Sequence, residues 1–386
     1  MAYADYQNEV YLNGLAGQTP AYPVGWRDLE TAALEAMTPE ARGYVSGGAG
    51  GEDTVRANRE AFDRWRIVPR MLRGIPAQRD LSTTILGTSM PAPVMLAPVG
   101  VLGIVHPDAE PAVARAASSM GVPMITSTAA TTPMEQIAEA AGDGPRWYQL
   151  YWPKDREIAA SLVRRAEAAG YTAIVFTLDT WQLGWRPRDL DKAYLPFLQG
   201  VGTAQYFSDP VFRSRLEKSP EDDPGSAVLL WSQQFADPSL TWDDIAWLKA
   251  QTSLPIVVKG VQHPDDARLA VDAGAAALIC SNHGGRQVDG AVGSLDALPG
   301  VVDAAGDLPV LFDSGIRTGA DAVKALALGA KAVCLARSYV YGLAVGGEDG
   351  VRHVLRTFLA DLDLQLGLSG HASVGELSTA SLLRRT

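Results

Sequence analysis

From residue 91 onward the chain repeats one alternation. Apolar runs of strand length stand at 94–97, 123–126, 147–150, 173–177, 256–259, 277–280, 310–313 and 332–335. Between them lie segments whose apolar residues recur at helical spacing, such as 156–169, 264–273 and 319–328. A run that is apolar at every position is a strand buried on both faces, as in a parallel sheet covered by helices. Eight such strands separated by helices predict an α/β fold, a closed (β/α)8 TIM barrel, ahead of an open doubly wound sheet.

The flanks break the rhythm. Residues 1–90 form a lead-in with no strand–helix alternation. A short amphipathic helix is expected at 26–37, and a second opens at Thr38-Pro39, with Thr38 as N-cap and Pro39 in the first helical position. Four glycines within 44–53 break that second helix. The β-prone stretch 81–90, interrupted by Gly87, suits a hairpin closing the bottom of the barrel. The connection 179–241 is out of scale for a compact domain. It follows the fourth strand and belongs on the C-terminal face, where barrel active sites lie. Its part 216–225 reads as mobile. At the far end a helix is expected at 351–367, with a loosely held polar tail at 368–386. The chain 1–386 reads as one domain: lead-in 1–90, barrel 91–346, and C-terminal helix and tail 347–386.

Composition narrows the function. With 386 residues, 47% of them hydrophobic, the core is large. A net charge of -11 and no basic block argue against nucleic acid. Cys280 and Cys334 lie inside apolar runs and read as reduced core residues, which points to the cytoplasm. The N-terminus lacks a basic start and an apolar stretch, so no signal peptide is expected, and no run reaches the length of a membrane span. The histidines, at 106, 263, 283, 353 and 371, make no zinc spacing, and no metal is expected.

The chemistry gathers at the strand ends. In strand order these give Pro98-Val99-Gly100, Ser127, Gln149 with Tyr151, and Thr177 with Asp179, Arg186 following shortly after. Next come Lys259, then Ser281 through Arg286, then Asp313-Ser-Gly315-Ile-Arg317, and last Ala336-Arg337. In a barrel all of these face one mouth. His283 offers a base that titrates near neutral pH, and Asp179 a carboxylate to hold it in one tautomer. Arg186 and Arg286 can clamp a carboxylate, with Tyr44 and Tyr151 as hydroxyl partners. Gly315, Arg317 and Arg337 make an anion site where barrels often bind phosphate. Ser127, Gln149, Thr177 and Lys259 offer donors and acceptors to a polar heterocycle such as an isoalloxazine. Lys259 adds a positive charge where a reduced flavin is anionic. A base, an anion clamp and an electron sink together suit oxidation of a carbon next to a carboxylate.

Several motifs carry a resemblance: Ser281-Asn-His-Gly-Gly-Arg-Gln287, Leu178-Asp-Thr180 with Leu183-Gly184 and Arg186, Val258-Lys-Gly260, and Asp313-Ser-Gly-Ile-Arg317. On these the chain, from about residue 44 to 369, resembles the FMN-dependent 2-hydroxy acid oxidases. The resemblance implies His283 as base with Asp179 its partner, Arg186 and Arg286 as carboxylate binders, and Tyr44 and Tyr151 as active-site tyrosines. It implies FMN contacts at Pro98, Val99, Ser127, Gln149, Thr177, Lys259, Ser281, Asp313, Gly315, Arg317, Ala336 and Arg337. It also implies a small 2-hydroxy acid substrate, O2 as co-substrate, and a homotetramer or homo-octamer. Ala129 stands where many members have Trp, as in the lactate-acting ones. Residues 180–197 and Asp209-Pro-Val-Phe-Arg213 are worded most like the lactate 2-monooxygenases, which implies oxidation of L-lactate coupled to decarboxylation. Release of pyruvate and H2O2 is the alternative. Gly100 replaces a frequent Ala next to flavin N5; the lost methyl is expected either to leave room for O2 or only to ease the turn.

Overall fold

The computed structural model describes residues 2–385. Its first three strands lie in the lead-in: β1 (Trp65–Ile67), β2 (Thr83–Ile85) and β3 (Thr88–Met90). Eight parallel strands follow: β4 (Val94–Leu96), β5 (Met124–Ser127), β6 (Arg146–Leu150), β7 (Ile174–Thr177), β8 (Ile256–Val261), β9 (Ala277–Cys280), β10 (Val310–Phe312) and β11 (Ala332–Leu335). They close into a barrel, β11 pairing with β4 at Cys334 and Met95. Each matches an apolar run of the sequence to within two residues, because both faces of each strand are buried. One face packs into the barrel interior, with Met95, Ile125, Trp147, Val175, Val257 and Leu311 in one cluster. The other meets the surrounding helices through residues such as Val94, Leu96, Tyr148, Ile174 and Val258. β2 and β3 form the expected hairpin. Its Ile85 and Met90 join the interior cluster, and Thr88 accepts a hydrogen bond from Trp147 Nε1 at 3.0 Å. The bottom of the barrel is thereby plugged.

In the lead-in, helix Trp26–Ala36 buries Leu29 and Ala33, and helix Pro39–Ser46 is capped by Thr38, whose hydroxyl accepts the Ala41 N–H at 3.2 Å. That second helix keeps Tyr44 and Val45, so the glycine-rich break begins at Gly47. Two further helices, Asp5–Leu15 and Asp53–Asp63, were not expected; the first buries no side chain and left no apolar stripe to read.

The connection after β7 is more ordered than its sequence suggested. It holds short helices at Pro187–Leu190, Ala204–Phe207, Pro210–Arg213 and Pro224–Ser232. Two buried side chains bolt it to the barrel. Gln205 accepts the Met134 N–H and donates to the Thr132 carbonyl, each at 2.8 Å. Asp209, with no exposed surface, caps Val211 and Phe212, accepts from Ser161 Oγ at 2.7 Å and pairs with Arg165 at 3.1 Å. The stretch 216–225 is crossed by an Arg213–Glu221 pair at 2.8 Å and ends on the Asp223 cap of the next helix.

Helical backbone runs from Arg337 to Leu368 but breaks at Gly346–Gly347, and the part after the break contains the helix expected at 351–367. The expectation for the tail is corrected: it is not loose. His371, 7% exposed, lies between Ser369 Oγ and Ser381 Oγ at 3.0 Å each, and β12 (Leu382–Arg384) pairs antiparallel with β1. A polar composition suggests looseness only until the segment finds a strand to pair with.

Candidate active site

A cavity of about 440 Å³ opens at the C-terminal ends of the barrel strands. His283 sits on its wall, one turn beyond β9, with φ +57 in the left-handed region. Three local side chains hold that turn. Ser281 Oγ accepts the His283 N–H, Ser314 Oγ accepts from Gly284, and Asn282 Oδ1 accepts from Gly285, all within 3.1 Å. The imidazole Nδ1 lies 2.8 Å from Asp179 Oδ1. An ionised carboxylate can only accept, so Nδ1 carries the proton and Nε2 keeps its lone pair. Thr180 Oγ1 touches both, at 2.8 Å from the carboxylate and 3.1 Å from Nδ1. Asp179 fits beneath because β8 carries glycine at 260, where φ is +108 and a Cβ would stand 2.8 Å from the Asp179 side chain.

The charges set the protonation states. Burial pulls His283 below its ordinary value, and the positive Lys259 and Arg186 add to this against the pull of Asp179, so the ring is neutral at pH 7. Burial raises Asp179, but His283 and Lys259 outweigh it and bring the carboxyl to about 2. Lys259 lies 3.2 Å from Asp313 Oδ2 and donates to Ser281 Oγ at 2.9 Å. Burial opposes its charge, but Asp313 and Asp179 raise its pKa and keep it cationic.

Arg186 and Arg286 are held by backbone and amide oxygens instead of carboxylates. Arg186 Nε donates to the Arg286 carbonyl at 3.0 Å and Nη2 to Gln287 Oε1 at 2.8 Å. Arg286 Nη1 donates to the carbonyls of Tyr44 and Gly47, and its guanidinium lies 4.8 Å from the centre of the Tyr44 ring. Neither forms an ion pair among the described residues, and burial together with the charge of Arg286 lowers Arg186 to about 10. Two neighbouring guanidinium groups short of negative charge call for an anion. Tyr151, which also lines the cavity, is pushed up to about 12 by burial and by Asp179, so its hydroxyl stays a donor.

A second group of residues fits a flavin. Ser127 Oγ donates to Gln149 Oε1 at 3.0 Å, which leaves the buried Gln149 Nε2 without a protein partner, as is Thr177 Oγ1. Unpaired buried polar atoms at adjacent strand ends, beside the Lys259 ammonium, match the donor and acceptor edge of an isoalloxazine. Pro98, Val99 and Gly100 line the opposite wall, with Gly315, Arg317, Ala336 and Arg337 further along. Arg317 Nε is buried without a partner. Arg337 donates from Nε, Nη1 and Nη2 to the carbonyls of Val45, Gly284 and Gly47 at 2.9–3.0 Å, and one hydrogen remains on each Nη. Asp313 also faces the cavity, its carboxylate already engaged by Lys259 and Ser314. Most of the predicted residues line this cavity, whereas Ser127, Gln149, Thr177, Asp179 and Ser281 do not line it, Asp179 and Ser281 reaching it only through His283 and Lys259.

One expectation is overturned. A methyl at Gly100 would stand 2.7 Å from both the Cβ and the carbonyl oxygen of Ala129. The space beside Gly100 is filled by Ala129, so it is no pocket for O2. Other features had gone unread. Thr180 was visible only as a neighbour of Asp179. Gln287, in the quoted motif but without a role, donates to the carbonyls of Asp179 and Gln182 and accepts from Arg186 and Gly184, tying the β7 and β9 loops together. Phe197 and Trp231 stack 4.9 Å apart over the cavity, and their distance in sequence hid the pairing.

A closed barrel with a histidine–aspartate pair, an uncompensated arginine clamp and a flavin-shaped set of polar groups defines a flavin-dependent oxidoreductase. Residues 33–384 match the model of the FMN-dependent dehydrogenase family. The chain belongs to that family and is an FMN-dependent oxidoreductase of its 2-hydroxy acid oxidase and dehydrogenase class. It is 46% identical to an FMN-dependent alpha-hydroxy acid dehydrogenase of Penicillium citrinum, covering 99% of this chain and 96% of that one. It is 43% identical to an L-lactate oxidase of Lysinibacillus sphaericus, over 97% and 96%. Human 2-hydroxyacid oxidase 1 is 42% identical, over 90% and 93%. A solved mandelate oxidase bound to (S)-4-hydroxymandelic acid superposes with a TM-score of 0.83 at 39% identity, over 94% of this chain and 99% of that one.

Proposed function

We propose that the protein oxidises L-lactate with O2 and retains the product long enough to decarboxylate it, giving acetate, CO2 and water. The observation that carries the oxidation is the His283–Asp179 pair set beside Arg186 and Arg286, which have no anion of their own. The substrate carboxylate bridges the two guanidinium groups, and the hydroxyls of Tyr44 and Tyr151 orient it. The substrate loses two protons and two electrons. His283 Nε2 holds one of the protons, while Asp179 and Thr180 fix the ring and stabilise its cationic form. Bound FMN supplies the two-electron acceptor and returns the electrons to O2.

The finer half of the reading rests on the roof. Phe197 and Trp231 stack over the cavity, and Gln205 and Asp209 fasten the segment between them to the barrel. A roof that opens slowly lets pyruvate and hydrogen peroxide meet before either leaves. Peroxide then attacks the keto carbon, its O–O bond breaks as the carboxylate leaves as CO2, and acetate and water remain. The second reading, release of pyruvate and H2O2, is favoured by the similarity to an L-lactate oxidase and by the filled space at Gly100. A cytoplasmic homotetramer or homo-octamer belongs to the same proposal.

The test is product analysis. Enzyme and L-lactate are mixed in air without catalase, and acetate, pyruvate and peroxide are measured at early times. Acetate in excess over pyruvate is expected. Pyruvate and H2O2 formed one to one with little acetate would refute decarboxylation and leave the oxidation standing.

A further inference from the structure

The lead-in helix Trp26–Ala36 lies outside every motif of the family resemblance and does not line the cavity, yet its first residue meets Arg317, which does. Its first residue, Trp26, is half-buried and surrounded by cations. The guanidinium of Arg317 lies 5.9 Å from the ring centroid and that of Arg59 5.7 Å, with Arg27 at 5.0 Å on the same helix. Leu29 and Ala33 root the helix in the core, and Glu30 turns aside to accept the Tyr341 hydroxyl at 2.7 Å. That engages one of the three carboxylates of this helix, Asp28 and Glu35 being the others.

The two inner arginines differ in how they are satisfied. Arg59 pairs with Asp321 at 2.8 Å and donates to the Gly315 carbonyl. Arg317 has no ion pair among the described residues. Its Nη1 donates to its neighbour's carbonyl, Ile316 O, at 2.9 Å, and its buried Nε has no partner. Asp321 accepts the backbone N–H of Arg317 at 2.9 Å, which fixes where the side chain starts but not where it ends. The electron-rich face of Trp26 is what steadies the guanidinium, and it does so without consuming a donor. A carboxylate in the same place would neutralise Arg317 and compete with an incoming phosphate. An aromatic face holds the cation and leaves its charge and its N–H groups free.

We propose that Trp26 is a positioning residue for the FMN phosphate: it holds Arg317 in place through its ring face and so favours FMN over the same ring system without phosphate. The proposal rests on family membership and on Arg317 as a phosphate ligand, and is independent of lactate as substrate. Its discriminating property is selectivity. General damage to the fold would weaken FMN and riboflavin together, whereas loss of a phosphate arginine's support weakens FMN alone.

Full-length apoprotein is titrated with FMN and, separately, with riboflavin, following flavin fluorescence. Trp26→Ala is expected to weaken FMN by roughly 3- to 30-fold, the range of a partly desolvated cation–π contact, and riboflavin by less than about twofold. Trp26→Phe, which keeps a ring face, should stay within about threefold of the parent for both. Arg317→Met is the reference and must itself lower FMN more than riboflavin. If it does not, the phosphate assignment fails and the proposal with it. If Arg317→Met discriminates and Trp26→Ala does not, or weakens both flavins alike, the role of Trp26 alone is overturned. Should Trp26→Ala fail to fold, Trp26→Leu, apolar and without a π face, takes its place with the same outcomes. In the Arg317→Met background, Trp26→Ala should change the FMN to riboflavin ratio by less than about twofold, because the residue it supports is gone.

Discussion

His283 is neutral at pH 7 because its surroundings make its charged form costly, and this has a readable consequence. Burial, helped by Lys259 and Arg186, depresses its pKa, so the free-base form needed to take a proton persists on the acid side of the ordinary value of 6.5. Anaerobic flavin reduction by lactate should rise with pH along a single limb, centred below 6.5, and then level off. His283→Gln should remove that limb and slow reduction by roughly 10²- to 10⁴-fold while FMN stays bound. A limb that survives in the variant would assign the titration, and the base, to another group. Residues such as this one were legible because their chemistry lies in short, ordered motifs. Thr180 and Gln287 were not, because a threonine or glutamine announces a role only through the partners it meets in space.

The elements separate along the same line. The barrel strands were legible to within two residues because each is buried on both faces, and such burial leaves an unbroken apolar run. The connection after β7 was not, since Gln205 and Asp209 are polar side chains buried against the barrel surface, a pattern that reads as an exposed loop. Their burial also makes a prediction. Asp209 caps two backbone N–H groups and pairs with Arg165, with none of its surface exposed. Asp209→Ala leaves those donors unanswered and should cost about 2–4 kcal/mol locally. Limited proteolysis should then cut within residues 196–213 faster than in the parent. If the roof governs retention, the acetate share should fall towards pyruvate and peroxide. Easier cutting with an unchanged product ratio would separate the loop from the chemistry. Gly100 shows the converse lesson. A missing methyl looks like space in a sequence, and only the fold reveals Ala129 occupying it.

Across the whole molecule, the pairing of β12 with β1, Trp65 against Arg384, is the kind of long-range contact that no local pattern announces. The charge distribution is of the same kind. The chain is acidic overall at -11, yet Arg186, Arg286, Arg317 and Arg337 crowd one mouth and form no ion pair among the described residues. Burial and mutual repulsion bring Arg186 and Arg337 down to about 10. Folding therefore stores repulsion that small anions can relieve, and by mass action whatever binds there stabilises the folded form. The thermal midpoint of the apoprotein should thus depend on the buffer. Sulfate or phosphate should raise it above chloride at matched ionic strength, by a few degrees when the anion is in large excess over its dissociation constant. The FMN-loaded protein should respond far less, its phosphate position already being taken. Equal shifts in both forms would trace the effect to general salt action on the surface. Until its cofactor arrives, such a protein owes part of its survival to the salts around it, and the choice of purification buffer becomes a choice about how much of it stays folded.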